Sequence, residues 1–242
     1  MKYQQPMSIE TILILGMHRS GTSCLTGSLQ SSGVFLGDVF TKNPYNKKGN
    51  RENVEVMKIN RQVLQFNGGD WDNPPESLTW TNDHRLERDS IIASMRLEEK
   101  VPCGIKDPRL IFTLPFWQEA ILNTQLVASF RHPLSVAKSL KARNDFSTDK
   151  ALVLWVQYNQ KLLDYLDVLP FPIVCFDVEQ DQYIKDLNRL QKMLNLKHYN
   201  DKTPFFDNQL RNSYSGDENH QLPEQVTNIY SRLMSHYRNY SE

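Results

Sequence analysis

The fold of this chain is indicated by one stretch of sequence, Ile12-Leu13-Ile14-Leu15-Gly16-Met17-His18-Arg19-Ser20-Gly21-Thr22-Ser23. Its first four residues are apolar and partly β-branched, which is typical of a short buried strand. A loop begins at Gly16, and apolar residues recur with helical spacing after Gly21. In such a strand–loop–helix unit, amides of the loop and of the helix N-terminus converge on an anion. The stretch therefore predicts an anion-binding loop at the start of an α/β fold.

The cation of this loop is in an unusual place. Nucleoside triphosphatases have the pattern G-x-x-x-x-G-K-[ST]. Gly16 and Gly21 have that spacing, but Thr22 occupies the lysine position and is followed by Ser23. The cation lies inside the loop instead, as Arg19. Without the lysine, the loop suits a monophosphate-sized or sulfated 5′ group better than Mg-bound β- and γ-phosphates.

Composition limits the class of protein. The chain has 242 residues, with 28 basic and 28 acidic side chains, so it can form one α/β domain and is not suited to broad nucleic-acid binding. Cys24, Cys103 and Cys175 are far apart and lack metal-ligand spacing, which favours reduced thiols in the cytoplasm. No apolar run approaches the roughly 20 residues of a membrane span. We expect one domain over 1–242, with 1–10 as a disordered or loosely packed tail.

Strand patterns alternate with helix patterns along the rest of the chain. The predicted later strands are 102–106, 126–130 and 171–176. The predicted later helices are 51–66, 83–100, 115–122, a helix from 133 through 143, 151–169, 183–194 and 223–237. This alternation predicts an α/β, P-loop-like, three-layer fold whose short, mostly parallel central sheet is flanked by helices.

Cations lie at the carboxyl ends of three of the predicted strands. They are Arg19, then Lys106 with Arg109, then Arg131. Ligands of open α/β sheets bind beyond the carboxyl ends of the strands, so these side chains are predicted to converge. Ser139 lies two turns into the helix after Arg131, and an arginine with a hydroxyl is a suitable donor pair for a second, dianionic phosphate.

These motifs resemble those of sulfotransferases that use 3′-phosphoadenosine-5′-phosphosulfate. Residues 17–23 are similar to the 5′-phosphosulfate loop of that family. Arg131 and Ser139, with seven residues between them, resemble its 3′-phosphate motif. The Lys-Asp-Pro-Arg sequence at 106–109, and Arg19 within the loop, resemble the bacterial and tyrosyl-protein branches. Weaker similarities lie at 49–52, 69–71, 154–155 and 210–211.

The resemblance implies an activity and a set of residues. The activity is in-line transfer of a sulfuryl group to a hydroxyl of a glycan, glycolipid or small metabolite, with no metal required. The implied donor-binding residues are His18, Arg19, Ser20, Gly21, Thr22, Ser23, Arg131, Ser139 and Arg211. Lys106 and Arg19 are the candidates for meeting the charge on the leaving oxygen. Lys106 could instead be a structural ion-pair partner.

The acceptor hydroxyl must lose its proton to a positioned base. Glu52 is the predicted base, because it follows a polar loop and matches the acidic position of the family. Glu55 is the nearest alternative and His84 a more distant one, while a solvated helix face would explain both acids without a function. Trp71 and Trp155 are candidates either for the acceptor pocket or for the core.

Three other interpretations are compatible with parts of the sequence. A small-molecule kinase would need bound Mg and a lysine after Gly21, and that lysine is missing. A catalytically inactive nucleotide-binding or scaffolding protein would not need to retain Lys106 and Glu52. A plain strand–turn–helix unit with a surface arginine would explain the first loop alone, but not the second cation–hydroxyl motif.

Overall fold

The structure of the protein, a computed structural model, describes residues 11–42, 48–97, 102–196 and 221–241. The elements in chain order are β1 (Thr11–Leu15), α1 (Thr22–Ser31), α2 (Val54–Phe66), α3 (Asn82–Leu97), β2 (Cys103–Lys106), α4 (Leu110–Gln118), β3 (Thr124–Phe130), α5 (Pro133–Asn144), α6 (Thr148–Val168), β4 (Ile173–Cys175), α7 (Gln180–Met193) and α8 (Glu224–Ser241). The predicted alternation of strands and helices is confirmed.

The sheet has the strand order β2-β1-β3-β4, and every pair of neighbours is parallel. Strand β1 is central, with Ile14 opposite Lys106 on one side and Leu15 opposite Ala128 on the other. Every residue of β1 is buried, because helices cover both faces of the sheet, and this explains its unbroken apolar run. The carboxyl ends of all four strands lie at one edge, where the first loop begins.

The two faces of β1 belong to two apolar cores. Leu13 and Leu15 belong to a large cluster that includes buried residues of α2, α4, α6 and α8. Ile12 and Ile14 belong to a smaller cluster with α1 and α7. Alternate residues of a strand point to opposite faces, so a sheet between two helical layers follows directly. The predicted three-layer, P-loop-like architecture is therefore confirmed.

Helix α4 differs most from its prediction. It was expected over 115–122, but it begins at Leu110 and contains Pro115 in its interior. A proline inside a helix costs about 3 kcal/mol. Leu110, Ile111 and Leu114 are each 0% exposed, and burial of each such side chain contributes about 1.5–3 kcal/mol. Packing against the core therefore outweighs the hydrogen bond that Pro115 cannot donate.

Helix α2 begins three residues later than the predicted start at 51. The side chain of Asn53 caps the helix by accepting hydrogen bonds from the amides of Glu55 at 3.0 Å and Val56 at 3.2 Å. Glu52 consequently lies before the helix, and not in its first turn as expected. Its carbonyl accepts a hydrogen bond from the Phe40 amide at 3.1 Å, which places Glu52 in an extended segment.

The remaining differences concern element boundaries. Helix α6 begins at Thr148 instead of 151, because the Ser147 hydroxyl accepts a hydrogen bond from the Lys150 amide at 3.2 Å. Helix α7 begins at Gln180 instead of 183, and α8 continues to Ser241. Within the described ranges, none of the helices combines the length and apolar character needed to cross a membrane. The predicted N-terminal tail lies outside the described residues.

Candidate active site

The first loop (residues 16–21) connects β1 to α1 and has an unusual backbone. Gly16, Arg19 and Gly21 have φ angles of 137°, 65° and 82°. A Cβ atom on Gly16 would lie 2.3 Å from the carbonyl oxygen of Ser129, and one on Gly21 would lie 2.3 Å from the Phe176 ring. Both positions therefore require glycine, since the backbone runs directly against the ends of β3 and β4.

Buried polar atoms inside the first loop lack partners. The Ser129 hydroxyl donates to the Ser20 carbonyl at 2.6 Å and so fixes the loop to β3. In the described part of the chain, Ser20 Oγ and His18 Nε2 are buried with no hydrogen-bond partner. Such a group costs about 1–3 kcal/mol, so the loop presents polar atoms that a bound anion would satisfy. Helix α1, described throughout, has no side-chain cap and no acid in its first turn.

His18, within the first loop, packs against two aromatic side chains. Its ring is 4.7 Å from the ring of Trp71 and 6.0 Å from that of Tyr158. Burial lowers the pKa of His18 well below its usual value of 6.5, and Arg109 and Lys106 act in the same direction. The imidazole is therefore neutral at pH 7. Trp71 is half-buried beside it, so this tryptophan lies next to the candidate site.

Lys106, the last residue of β2, connects the first helix to the segment before α2. Its ammonium nitrogen lies 2.6 Å from Glu52 Oε1, 3.0 Å from the Asn50 carbonyl oxygen and 3.5 Å from Ser23 Oγ. The structural ion pair considered for this lysine is thus formed with Glu52, the candidate base. An ammonium group from the neighbouring strand therefore lies beside the start of α1.

Asp107 and Arg109 form a second buried ion pair. Asp107 Oδ1 and Oδ2 accept hydrogen bonds from Arg109 Nη1 at 3.1 and 3.0 Å. Asp107 Oδ1 also accepts from the Arg109 backbone amide at 2.7 Å. Burial raises the pKa of the Asp107 carboxyl to about 6, although Arg109 acts in the opposite direction. This pair fixes the turn between β2 and α4.

Arg131, at the end of β3, is held by an aspartate that was not among the predicted site residues. Asp177 Oδ1 accepts hydrogen bonds from Arg131 Nε at 3.1 Å and from the Ser135 hydroxyl at 3.3 Å, while Oδ2 accepts from the His132 amide at 2.7 Å. The guanidinium also lies 5.2 Å from the centre of the Phe176 ring. Asp177 follows a buried strand, β4, and that position was the signal for it.

Arg19 joins the first loop to the second motif. Its Nε donates to Ser139 Oγ at 2.7 Å, and its carbonyl oxygen accepts from Arg131 Nη1 at 3.3 Å. Burial, together with Arg143 and Arg131, lowers the pKa of Arg19 to about 10. Arg19, Arg131 and Arg143 therefore lie close enough for their charges to interact. Such a group of positive charges attracts anionic ligands.

Contacts thus connect most of the predicted site residues. Hydrogen bonds and chain continuity in the first loop link His18, Arg19, Ser20, Gly21, Thr22, Ser23, Glu52, Lys106, Arg131 and Ser139. Arg211 lies outside the described residues. In the described ranges, no group of three or more His, Cys, Asp or Glu side chains is placed to hold a metal ion.

The remaining candidates are Glu55, His84 and Trp155. Glu55 is exposed on α2, beyond the cap of that helix. His84 exchanges hydrogen bonds with Thr81 at the start of α3, at 3.2 and 3.3 Å. Trp155 is 0% exposed in the core, and its indole donates to the Arg131 carbonyl at 3.1 Å. Trp155 is therefore a core residue that fixes the backbone of Arg131 through this hydrogen bond.

The fold and the site together define a P-loop-like α/β domain with cations at the carboxyl edge of its sheet. No family model and no curated protein sequence matches the chain. The structure is similar to a sulfotransferase domain from the curacin biosynthetic pathway, with a TM-score of 0.55 and 18% identity over 93% of this chain and 97% of that one. It is also similar to a sulfotransferase domain from the Synechococcus PCC 7002 olefin synthase, with a TM-score of 0.53 and 16% identity over 100% and 99% of the two chains. The resemblance to bacterial sulfotransferases is confirmed for the fold.

Proposed function

We propose that this protein is a sulfotransferase that moves a sulfuryl group from 3′-phosphoadenosine-5′-phosphosulfate to a hydroxyl of a glycan, glycolipid or small metabolite. The main support is that hydrogen bonds join the first loop, which contains Arg19, to the Arg131–Ser139 motif after the neighbouring strand. Arg131 donates to the Arg19 carbonyl, and Arg19 donates to Ser139. A donor with anionic groups at both its 5′ and 3′ positions would engage both groups at once.

The first loop fits the 5′-phosphosulfate. The buried Ser20 hydroxyl and His18 Nε2 are the polar atoms that a bound oxygen would satisfy. Thr22 and Ser23 add hydroxyls at the start of α1, where the helix dipole favours an anion. Arg19 contributes the guanidinium of the loop.

Arg131 and Ser139 fit the 3′-phosphate. Because Arg19 Nε can only donate, Ser139 Oγ is the acceptor of their hydrogen bond, and its own proton remains for a phosphate oxygen. Asp177 holds the Nε side of Arg131 and so orients the rest of the guanidinium. Arg211 is proposed as a further contact on the resemblance alone.

The transfer step assigns a role to three side chains. The acceptor oxygen forms a bond to sulfur as the bond from sulfur to the bridging oxygen of the phosphosulfate breaks. Lys106 and Arg19 stabilise the charge that develops on that leaving oxygen. Glu52 accepts the proton of the acceptor hydroxyl.

We place this activity in the cytoplasm. Cys24, Cys103 and Cys175 are joined by no disulfide, and such thiols are typical of a reducing compartment. The donor is a soluble nucleotide, which agrees with this location.

A thermal-shift titration tests the proposal against a kinase. Adenosine 3′,5′-bisphosphate should raise the melting temperature without Mg, since a ligand of the native state stabilises it by mass action. A chelator should leave that shift unchanged, and ATP with Mg should give a smaller shift at equal concentration. A larger, Mg-dependent response to ATP, with none to the bisphosphate, would overturn the sulfotransferase assignment. Screening hydroxyl acceptors with labelled donor then identifies the substrate.

A further inference from the structure

Lys106 and Glu52 form a buried ion pair at the centre of the candidate site. Their side chains are 2% and 8% exposed, and the two charged groups lie 2.6 Å apart. The Asn50 carbonyl at 3.0 Å and Ser23 Oγ at 3.5 Å are the other acceptors near the ammonium nitrogen. A lysine has three N–H donors, so each of them has an oxygen acceptor.

This arrangement conflicts with the roles that sulfuryl transfer requires. A general base needs a carboxylate oxygen within about 2.6–3.2 Å of the hydroxyl whose proton it takes. Oε1 of Glu52 already accepts a hydrogen bond from the Lys106 ammonium group at 2.6 Å, so that oxygen is occupied before a hydroxyl arrives. The same ammonium group must also face the donor if it is to stabilise the leaving oxygen.

We propose that Glu52 and the sulfuryl donor compete for Lys106. Donor binding draws the ammonium group from Glu52 to the phosphosulfate, and the released carboxylate then accepts the proton of the acceptor hydroxyl. This inference rests on the proposed function and adds an order to it. The base becomes competent only after the donor has bound.

The position and chemistry of Lys106 suit this exchange. Ser23 lies in the first turn of α1, beside the proposed place of the 5′ group, so the ammonium nitrogen already lies between the donor loop and the base. A lysine ammonium is a compact charge on a flexible stem with rotatable donors. It can therefore exchange one acceptor for another with a small movement, which a guanidinium bound through two hydrogen bonds cannot.

A double-mutant cycle on ligand binding tests the competition. The dissociation constant of adenosine 3′,5′-bisphosphate is measured by calorimetry for the wild type, Glu52→Gln, Lys106→Met and the double variant. Removing the competing carboxylate should tighten binding about ten-fold in Glu52→Gln, within the coupling range of residues in contact. Lys106→Met should weaken binding about ten-fold. In the Lys106→Met background, Glu52→Gln should have no effect.

The cycle separates release of Lys106 from a general loss of negative charge. If Glu52→Gln tightens binding equally with and without Lys106, the effect is only electrostatic and the competition is overturned. Glu55→Gln is the matched control, because it removes an exposed carboxylate three residues further along the chain. It should leave the dissociation constant unchanged.

The remaining outcomes of the calorimetry distinguish failure of the competition from failure of the proposed function. Unchanged or weaker binding by Glu52→Gln overturns the competition while leaving the proposed function intact, provided that the wild type binds. Failure of the wild type to bind the bisphosphate contradicts the proposed function itself. If Glu52→Gln does not fold, Glu52→Asp is used in its place: its shorter side chain retracts the carboxylate and should tighten binding about three-fold. Equal or weaker binding by that variant contradicts the competition as well.

Discussion

Two buried ion pairs start from adjacent residues, the last residue of β2 and the residue after it, and they are built differently. Asp107 pairs with Arg109, two residues away, through two side-chain hydrogen bonds and one to the backbone amide. Lys106 pairs with Glu52, 54 positions away in the sequence, through a single hydrogen bond. The first pair is complete within one turn of the chain, whereas the second joins two distant segments.

The difference shows how an ion pair can either support a site or take part in its chemistry. Both carboxylate oxygens of Asp107 accept hydrogen bonds from Arg109 Nη1, so the aspartate is held within the turn, while the buried Nε of Arg109 has no hydrogen-bond partner among the described residues. The ammonium group of Lys106 has three different acceptors and reaches the first helix through Ser23. We infer that the Asp107–Arg109 pair is structural and that the Lys106–Glu52 pair is the reactive one.

The largest expected effect on stability comes from breaking the local pair. Asp107→Ala leaves Arg109 buried without its carboxylate, and such a change costs about 3–5 kcal/mol. Urea unfolding at pH 8, where Asp107 is ionised, measures this loss. The double variant Asp107→Ala, Arg109→Met should recover part of it. A loss smaller than that of Glu52→Gln would reverse the assignment of the two pairs.

The next effect concerns turnover. Glu52→Gln should lower kcat on the order of 100-fold, the usual scale for loss of a general base. Its unfolding free energy should fall less than that of Asp107→Ala, because Lys106 keeps the Asn50 carbonyl as an acceptor. Steady-state kinetics on the identified acceptor measure the change, with Glu55→Gln as the control. Full turnover by Glu52→Gln would assign the base elsewhere.

A third ion pair, between Arg131 and Asp177, sharpens the comparison. It is long-range like the pair of Lys106, but it uses a guanidinium like the pair of Arg109. Arg131→Ala should weaken binding of adenosine 3′,5′-bisphosphate by roughly thirty-fold, since it removes a charge-assisted contact of about 2 kcal/mol. Adenosine 5′-monophosphate lacks the 3′ group and should bind as before, and Arg85→Ala is a surface control. Equal losses for both nucleotides would mean that Arg131 acts on the fold or on the 5′ end.

The smallest effect is a pH dependence caused by His18. Burial and neighbouring cations lower the pKa of His18 well below 6.5 in the folded protein, whereas the unfolded chain binds a proton near that pH. The stability that neutral His18 contributes is therefore present above about pH 6.5 and is lost as the pH falls below it. In His18→Gln the loss of unfolding free energy between pH 7 and pH 5.5 should be smaller by about 1 kcal/mol. Parallel pH curves for the two proteins would contradict this environment for His18.

Much of the fold was predictable because its signals are local. The apolar run of β1 and the glycines at positions 16 and 21 indicated a strand, a loop and a helix, and the structure has all three. The α4 boundary was wrong, because Pro115 is a local breaker whose cost is outweighed by burial of Leu110, Ile111 and Leu114. Burial depends on packing partners that are distant in the sequence, so a local pattern cannot report it.

The candidate site was predictable only in part. Arg19, Lys106 and Arg131 were identified because strand ends in a parallel sheet meet at one edge, and hydrogen bonds now connect the segments that contain them. Asp177 was missed, although it follows a buried strand as these cations do. An acid at a strand end has no fixed spacing to the arginine that it binds, so its role depends on the sheet order that makes β3 and β4 neighbours.

The sequence by itself determined the strand–loop–helix unit, the replacement of the loop lysine by Thr22 and the set of cations at the strand ends. These features depend on residue type and short spacing, and both can be read directly from the sequence. Only the tertiary structure decided the partners: Lys106 with Glu52, Arg131 with Asp177 and Arg19 with Ser139. Each partnership joins segments far apart in sequence, and their approach is fixed by the order of the strands and the packing of helices on the sheet.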